Sequence, residues 1–344
     1  MSTVRLAVLG AGNWGTALAA LASRQADTVL WARDPATAQG IQQAHRNPRY
    51  LSDIELPVSL RATPHWDDAL SHVLDAPKGT LRLIVLGVPM SGMPETCRHL
   101  ARHFPAHAPG TVHLLWTCKG ISPDTLQWPH QILCDSLAHL PWLHAGVLSG
   151  PSFAREVAQG LPVALTVAST HADTGEVAQA AFHGNQARIY TTRDIIGVEA
   201  GGALKNVMAI ACGISDGLQL GTNARAALIT RGLAEIQRLG VSLGGRAATF
   251  TGLTGLGDLV LTATGDLSRN RQVGVALGQG HSLQSILANG MTAEGVRCAQ
   301  AALALGRRHN VDLPITDAVC QVLFANLPPH QAVARLLARD ARPE

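Results

Sequence analysis

Two domains of different class are predicted: an α/β domain built on a parallel sheet over residues 1–192, then an all-helical domain over 193–344. Three observations predict this. Short apolar runs alternate with helical patterns through the first half. A glycine-rich turn, Gly10-Ala-Gly12-Asn-Trp-Gly15, follows the first run directly. After about Arg193 only helical periodicity remains. Continuous β-rich runs joined through helices indicate a parallel sheet covered on both faces.

In chain order, Val4–Leu9 is a short apolar strand leading into Gly10, and Gly15–Ser23 has a helical pattern. Strands follow at Thr28–Trp31 and at Leu81–Val88, the second nearly continuous in apolar residues. Glu95–Phe104 is helical, and Val112–Thr117, Ala145–Leu148 and Val163–Ala168 complete the strands. The domain boundary is placed near Thr191–Ile196. Helices are expected at about 197–214, 224–240, 293–309 and 315–325, separated by Gly-rich connections such as Gly252-Leu-Thr-Gly-Leu-Gly257. The tail Ala338–Glu344 is expected to fray.

Composition excludes several classes. A length of 344 residues accommodates two domains, and 47% hydrophobic residues is ordinary for a globular chain. The net charge is +3, but the arginines are scattered and aromatics make up only 4%, so neither a basic nucleic-acid face nor a base-stacking platform is expected. The run Ala200–Ser215 comes closest to a membrane span; Lys205, Asn206 and its glycines make it a core helix instead. A strand pattern by Val4 leaves no room for a signal peptide. The six cysteines form no C-x-x-C pair and read as reduced, mostly buried thiols of a cytoplasmic protein. Fifteen histidines invite a metal reading, most of all His99, His103 and His107. Pro105 breaks that helix, no carboxylate or cysteine sits at ligand spacing, and no metal is expected.

The chain carries 24 arginines and three lysines, Lys78, Lys119 and Lys205. Arginine stays charged in proteins, whereas a desolvated lysine amine can lose its proton. A retained lysine is therefore a candidate for chemistry that needs a titratable amine. Lys78, in the turn-like Asp75-Ala-Pro-Lys-Gly79, is expected to be merely exposed. Lys119 ends the apolar run from Val112, and Lys205 is the only charge between Glu199 and Asp216. Desolvation there would lower the Lys205 pKa toward that of a general acid/base; the plainer alternative is a lysine snorkelling to the surface.

The motifs add a ligand. In Gly10-Ala-Gly12-Asn-Trp-Gly15 the first glycine permits the tight turn, the second lets backbone approach a pyrophosphate and the third allows close helix–strand packing. The helix N-terminus offers free N–H groups to the anion, as in a Rossmann-type dinucleotide site. At the end of the second strand, Leu30-Trp-Ala-Arg33-Asp34-Pro35 offers Arg33 for a 2′-phosphate, while Asp34 before Pro35 looks like a helix N-cap. This favours NADP(H), with NAD(H) also accommodated. Ser149-Gly150-Pro-Ser152-Phe-Ala154 is a second loop at a strand's carboxyl end, where ligands bind. Gly255-Leu-Gly257-Asp258 places a carboxylate at a glycine turn, with N-capping as its alternative role. Ser268-Arg269-Asn270-Arg271 groups donors that can clamp a phosphate, or simply opens a solvated helix.

Taken in order, Gly10–Ala17, Trp116–Gly120, Ser149–Ala154, Gly201–Asn206, Asn223–Gly232, Gly255–Asp258, Ser268–Asn270 and Glu294-Gly295 resemble the bacterial-type NAD(P)-dependent glycerol-3-phosphate dehydrogenases nearly end to end. The resemblance implies interconversion of dihydroxyacetone phosphate and sn-glycerol 3-phosphate for glycerophospholipid biosynthesis, with a homodimer as the expected assembly. It implies Lys205 as the proton-transfer group, with Lys119 and Asp258 beside it. Lys119, Gly150, Ser152, Lys205, Asp258, Ser268, Arg269 and Asn270 are implied on the substrate side. Gly10, Gly12, Asn13, Trp14, Gly15, Arg33, Lys119, Ala154, Arg269 and Glu294 are implied as cofactor contacts. Asn13 departs from the family, which more often has serine or threonine there. The stretch Trp128–Leu143, with two tryptophans and two histidines, matches nothing familiar. A β-hydroxyacid dehydrogenase is the enzymatic rival; such enzymes usually place asparagine four residues after the lysine, where this chain has Ala209. A non-catalytic dinucleotide sensor is the other, but it would not need Lys205, Asp258 and the Ser268–Asn270 cluster.

Overall fold

The computed structural model describes residues 3–108, 110–184, 186–288, 290–291 and 293–339. From residue 340 onward, the tail expected to fray lies outside them. The chain forms two compact units. Residues up to Cys118 join Pro129–Ile195 in the first, and Lys119–Trp128 joins the residues from Ile196 onward in the second.

The first unit runs β1 (Val4–Leu9), α1 (Asn13–Ala22), β2 (Asp27–Trp31), α2 (Pro35–Ala44), β3 (Arg61–Thr63), α3 (Trp66–Leu74), β4 (Leu81–Leu86), α4 (Met93–His103), β5 (Val112–Trp116), α5 (Pro129–Leu137), β6 (Leu143–Ser149), α6 (Ala154–Ala158), β7 (Val163–Ser169), α7 (Ala172–Phe182) and β8 (Ala187–Thr192). The strands form one sheet in the order β3-β2-β1-β4-β5-β6-β7-β8. Strands β1, β4 and β5 are buried along almost their whole lengths, as expected of parallel strands covered on both faces. Leu6, Val8, Leu83, Val85, Leu115 and Leu148 form the centre of this core. Burying each such side chain contributes about 1.5–3 kcal/mol before conformational entropy is charged against it.

The sheet is not wholly parallel. β7 pairs with β6 antiparallel, with Val147 opposite Ala168, and every other neighbouring pair is parallel. Direction is a property of the connection, and an apolar run of seven residues carries no record of it. The short edge strand β3 and the outer strand β8 were not foreseen. Neither is a continuous apolar run: β3 has three residues, and β8 alternates buried Ala187 and Ile189 with exposed Arg188 and Tyr190. The stretch Trp128–Leu143 is structural: Ile132, Leu133 and Leu137 on α5 are buried, and the Trp142 indole N–H donates to Ala106 O.

The second unit contains α8 (Ile195–Gly217), α9 (Gly221–Ser242), α10 (Ala247–Phe250), α11 (Asp258–Thr264), α12 (Arg269–Gly278), α13 (Leu283–Ala288), α14 (Glu294–Arg308), α15 (Pro314–Phe324) and α16 (Pro329–Leu337). Among the described residues, α8 is the helix long and apolar enough to cross a membrane by composition alone. It is instead the core helix foreseen from the sequence: Gly197 through Ser215 are all buried. Ile121 and Trp128 pack into this second core, which explains why residues 119–128 belong to it. All six cysteines are free thiols, buried except Cys134.

Candidate active site

The first unit supplies a cleft of about 640 Å³ at the carboxyl ends of β1, β2 and β4. Its wall includes Gly10, Gly12, Arg33, Arg49, Tyr50 and Trp66. The chain leaves β1 through Gly10 with φ 122°, and a Cβ there would sit 2.7 Å from the Gly87 carbonyl oxygen. A side chain is therefore excluded by both backbone conformation and space. Gly12 precedes the first turn of α1, and an added Cβ would meet nothing within 4 Å. The helix N-terminus thus faces open space, as a pyrophosphate requires. Among the described residues, Asn13, Trp14, Gly15 and Ala154 are not part of this wall. Asn13, Trp14 and Gly15 form the first turn of α1, and Ala154 begins α6.

Arg33 is exposed on the cleft wall, and Arg49 joins it there. Arg49 gave no local signal in the sequence, because it approaches from the loop after α2. Asp34 is the N-cap of α2, with Pro35 at the first helical position. Its carboxylate accepts from the Ala36 and Thr37 backbone N–H groups and from the Thr37 hydroxyl at 2.7 Å. The Thr37 hydroxyl leads in holding this carboxyl below the usual range. The acid is committed to the helix, and the cleft wall there carries two guanidinium groups. These features fit a dinucleotide with a 2′-phosphate. In the loop after β6, Gly150 has φ 137° and Ser152 Oγ donates to Gly150 O at 3.2 Å.

The second unit gathers the lysines. Lys119 Nζ donates to Asp258 Oδ2 at 2.6 Å, and Lys205 Nζ donates to Asp258 Oδ1. Lys205 also donates to Thr262 Oγ1 at 2.8 Å, and Thr262 donates in turn to the Asp258 carbonyl oxygen at 2.7 Å. Asp258 is fully buried and Lys205 nearly so, while Lys119 keeps part of its surface. Lys78, by contrast, is exposed, as expected. Asp258 opens α11 without capping it: its carboxylate is turned to the two ammonium groups. Lys205 reaches it because α8 lies close to the Leu253–Gly257 turn; a Cβ on Gly201 would sit 2.5 Å from Thr254 O.

One carboxylate between two ammonium groups leaves a net positive charge in a buried place. Burial accordingly lowers the Lys205 pKa to about 7, with Lys119 acting in the same direction and Asp258 opposing both. Thr262, one helical turn beyond Asp258, is the member of this cluster that the sequence reading missed.

The Ser268–Asn270 group is partly committed to scaffold. Ser268 caps α12 by accepting from the Arg271 N–H. Asn270 donates to Asn206 Oδ1 at 3.0 Å and accepts from the Gly295 N–H at 2.9 Å. Arg271 is engaged with Asp216 and Asp266. Arg269 opens α12 and acts electrostatically on Glu294. Burial raises the Glu294 pKa, opposed by Arg297 and Arg269.

Comparisons with known proteins agree with both halves. The model of the NAD-dependent glycerol-3-phosphate dehydrogenase N-terminus matches residues 5–175, and that of the C-terminus matches residues 194–334. Proteins named glycerol-3-phosphate dehydrogenase [NAD(P)+] from Burkholderia lata and Burkholderia cenocepacia are 56% and 57% identical, over 99% of this chain and 100% of theirs. The crystal structure of glycerol-3-phosphate dehydrogenase from Coxiella burnetii is 37% identical with a TM-score of 0.87, covering 98% of this chain and 99% of that one. The chain therefore belongs to the NAD-dependent glycerol-3-phosphate dehydrogenase family.

Proposed function

We propose that this chain is an NAD(P)-dependent glycerol-3-phosphate dehydrogenase, interconverting dihydroxyacetone phosphate and sn-glycerol 3-phosphate, with Lys205 as the proton-transfer group. Membership of the family supports the reaction. The observation that carries the residue assignment is the buried Lys205, held by Asp258 and Thr262 with its pKa near 7. A nicotinamide cofactor held by the Gly10–Gly15 turn would supply or accept the hydride at substrate C2. Asp258 and Thr262 take two of the three Lys205 N–H groups, and the remaining one is assigned to the substrate C2 oxygen. In reduction the ammonium gives that oxygen its proton; in oxidation the amine removes it. Losing the proton cancels the excess positive charge of the cluster, which suits an amine formed in a buried place. Lys119, anchored by Asp258 at 2.6 Å, keeps its ammonium aimed at the same region and stabilises negative charge on the substrate.

Arg269, at the start of α12, is assigned to the substrate phosphate and to the cofactor, with Asn270 and Ser268 fixing the helix that carries it. Gly150 and Ser152 are assigned to the substrate, and Asn13, Trp14, Ala154, Lys119 and Glu294 to the cofactor, on the family resemblance. Gly10, Gly12 and Gly15 shape the pyrophosphate turn, and Arg33 with Arg49 favours NADP(H) over NAD(H). Residues 1–192 are assigned to the cofactor and 193–344 to the substrate, except that Lys119–Trp128 goes with the second unit. A homodimer in the cytoplasm completes the proposal; free, mostly buried thiols support the compartment, and light scattering tests the assembly.

The deciding experiment is a spectrophotometric assay of the purified chain with dihydroxyacetone phosphate and NADPH or NADH. Substrate-dependent oxidation of the cofactor is expected, faster with NADPH at low concentration. Turnover of a β-hydroxyacid without turnover of dihydroxyacetone phosphate would overturn the assignment.

A further inference from the structure

Away from the cofactor cleft, three residues of the first unit converge at the amino ends of β5 and β6. His113 and His144 are the second residues of these strands and stand directly opposite one another in register. Asp173 lies in the first turn of α7, whose chain arrives from the antiparallel strand β7. One donor atom from each of the three lies within 4.8 Å of the others. None of the three lines the cleft at the carboxyl ends of the strands.

We propose that His113, His144 and Asp173 form a binding site for one divalent metal ion of the zinc type. The donor set is two imidazoles and a carboxylate, which suits Zn²⁺, Co²⁺ or Ni²⁺ and not the all-oxygen preference of Ca²⁺ or Mg²⁺. Three protein ligands leave a further position for water. The ligands are oriented before any ion arrives. Thr174 Oγ1 lies 3.1 Å from His113 Nδ1 and fixes the rotation of that buried ring. His171 stacks on His144 with centroids 3.8 Å apart and planes 12° from parallel. His144 Nδ1 already sits 2.9 and 3.0 Å from the two Asp173 oxygens.

On an ion with bonds of ~2.0–2.2 Å, tetrahedral ligand atoms lie about 3.3 Å apart, so the His144–Asp173 contact must open slightly to admit the ion while His113 completes the set. The Asp173 side chain is half exposed and the His144 ring partly so, which provides both the freedom to rotate and an entry path. Occupancy would tie β5, β6 and α7 together at the amino ends of the strands, away from the cofactor cleft at their carboxyl ends, so its effect is on stability and not on hydride transfer. A search by sequence spacing cannot find this site, because its ligands come from three separate elements.

The test is a titration of the full-length chain, purified without an oligohistidine tag and stripped with chelator, using Co²⁺ and then Zn²⁺. Calorimetry, the visible d–d absorption of bound Co²⁺ and the thermal unfolding midpoint are the readouts. One equivalent per chain is expected, with the tetrahedral Co²⁺ signature, displacement by Zn²⁺ and a raised midpoint. His144→Gln and Asp173→Asn change partly exposed side chains and should each weaken binding at least ~10-fold. Their metal-free dehydrogenase rates should remain those of the wild type. His103→Gln removes the other close histidine pair, stacked on α4 at 4.1 Å, and should bind normally. The proposal is overturned by absence of saturable binding, by unchanged affinity in His144→Gln and Asp173→Asn, or by loss of the ion in His103→Gln.

Discussion

Replacing Lys205 by arginine separates charge from titration. In the wild type the amine pKa is lowered to about 7. Both the base form and the acid form are therefore populated near neutral pH. A guanidinium keeps its proton far above neutral pH, so essentially none would be neutral there. Lys205→Arg keeps a cation beside Asp258 and removes the proton exchange. General acid–base catalysis contributes ~10²–10⁴-fold, so kcat should fall by at least about 10²-fold in both directions. The pH profile carries the same information. Wild-type kcat/KM for oxidation of glycerol 3-phosphate should rise as pH increases through about 7, because the amine is the active form. The value for reduction should fall across the same range, because the ammonium is. Both inflections should vanish in the arginine variant. Lys205→Met serves as a control for lost charge, and thermal unfolding with NADPH binding verifies the fold of each. Normal turnover by Lys205→Arg, or wild-type profiles flat near pH 7, would refute the assignment and move it to Lys119.

Asp258→Asn leaves the buried Lys205 ammonium and the part-buried Lys119 ammonium without their carboxylate, and denaturant unfolding should show a loss of about 3–5 kcal/mol. In whatever folds, the inflection in the pH profile should move below that of the wild type, because Asp258 raises the Lys205 pKa. Arg33→Ala should weaken NADPH binding by about 1–3 kcal/mol while sparing NADH, as fluorescence titration would register; equal losses would contradict a 2′-phosphate contact. Arg269→Lys keeps the charge but loses the fork, so KM for dihydroxyacetone phosphate should rise clearly, and an unchanged KM removes it from the phosphate site. Glu235 is buried under the start of α15, and burial raises its pKa from 4.5 to about 7 despite hydrogen bonds from the Ile315 and Thr316 N–H groups. A folded pKa above the unfolded one gives stability that is complete below pH 4.5 and lost as pH rises to about 7, here about 3 kcal/mol. The stability difference between wild type and Glu235→Gln, followed by denaturant unfolding, should shrink or reverse over that interval; a constant difference would refute the shift.

The sequence by itself determined what depends on neighbours along the chain. The strand, turn and helix around Gly10–Gly15 follow from backbone sterics, and Asp34-Pro35 announced the start of α2 because capping needs only residues two and three positions ahead. The buried helix α8 was legible in its unbroken run of small and apolar residues. Lys205 stood out because an amine in that run demands a reason. Residue type and spacing could also bring Lys119 and Asp258 forward as candidates. They could not show that the two ammonium groups meet opposite oxygens of a single carboxylate, since 139 residues separate Lys119 from Asp258.

Tertiary structure decided what depends on distant partners. Thr262 became a ligand of Lys205 only once α11 was placed beside α8. Arg49 entered the cofactor cleft through the path of a loop. The antiparallel pairing of β6 with β7 was set by a connection whose apolar strands read alike in either direction. His113, His144 and Asp173 met because register aligned two strands and α7 followed them. Local sterics and hydrophobic period are written residue by residue. Convergence of side chains across elements is settled only when the sheet and the helices pack, because the free energy that selects it belongs to the whole core.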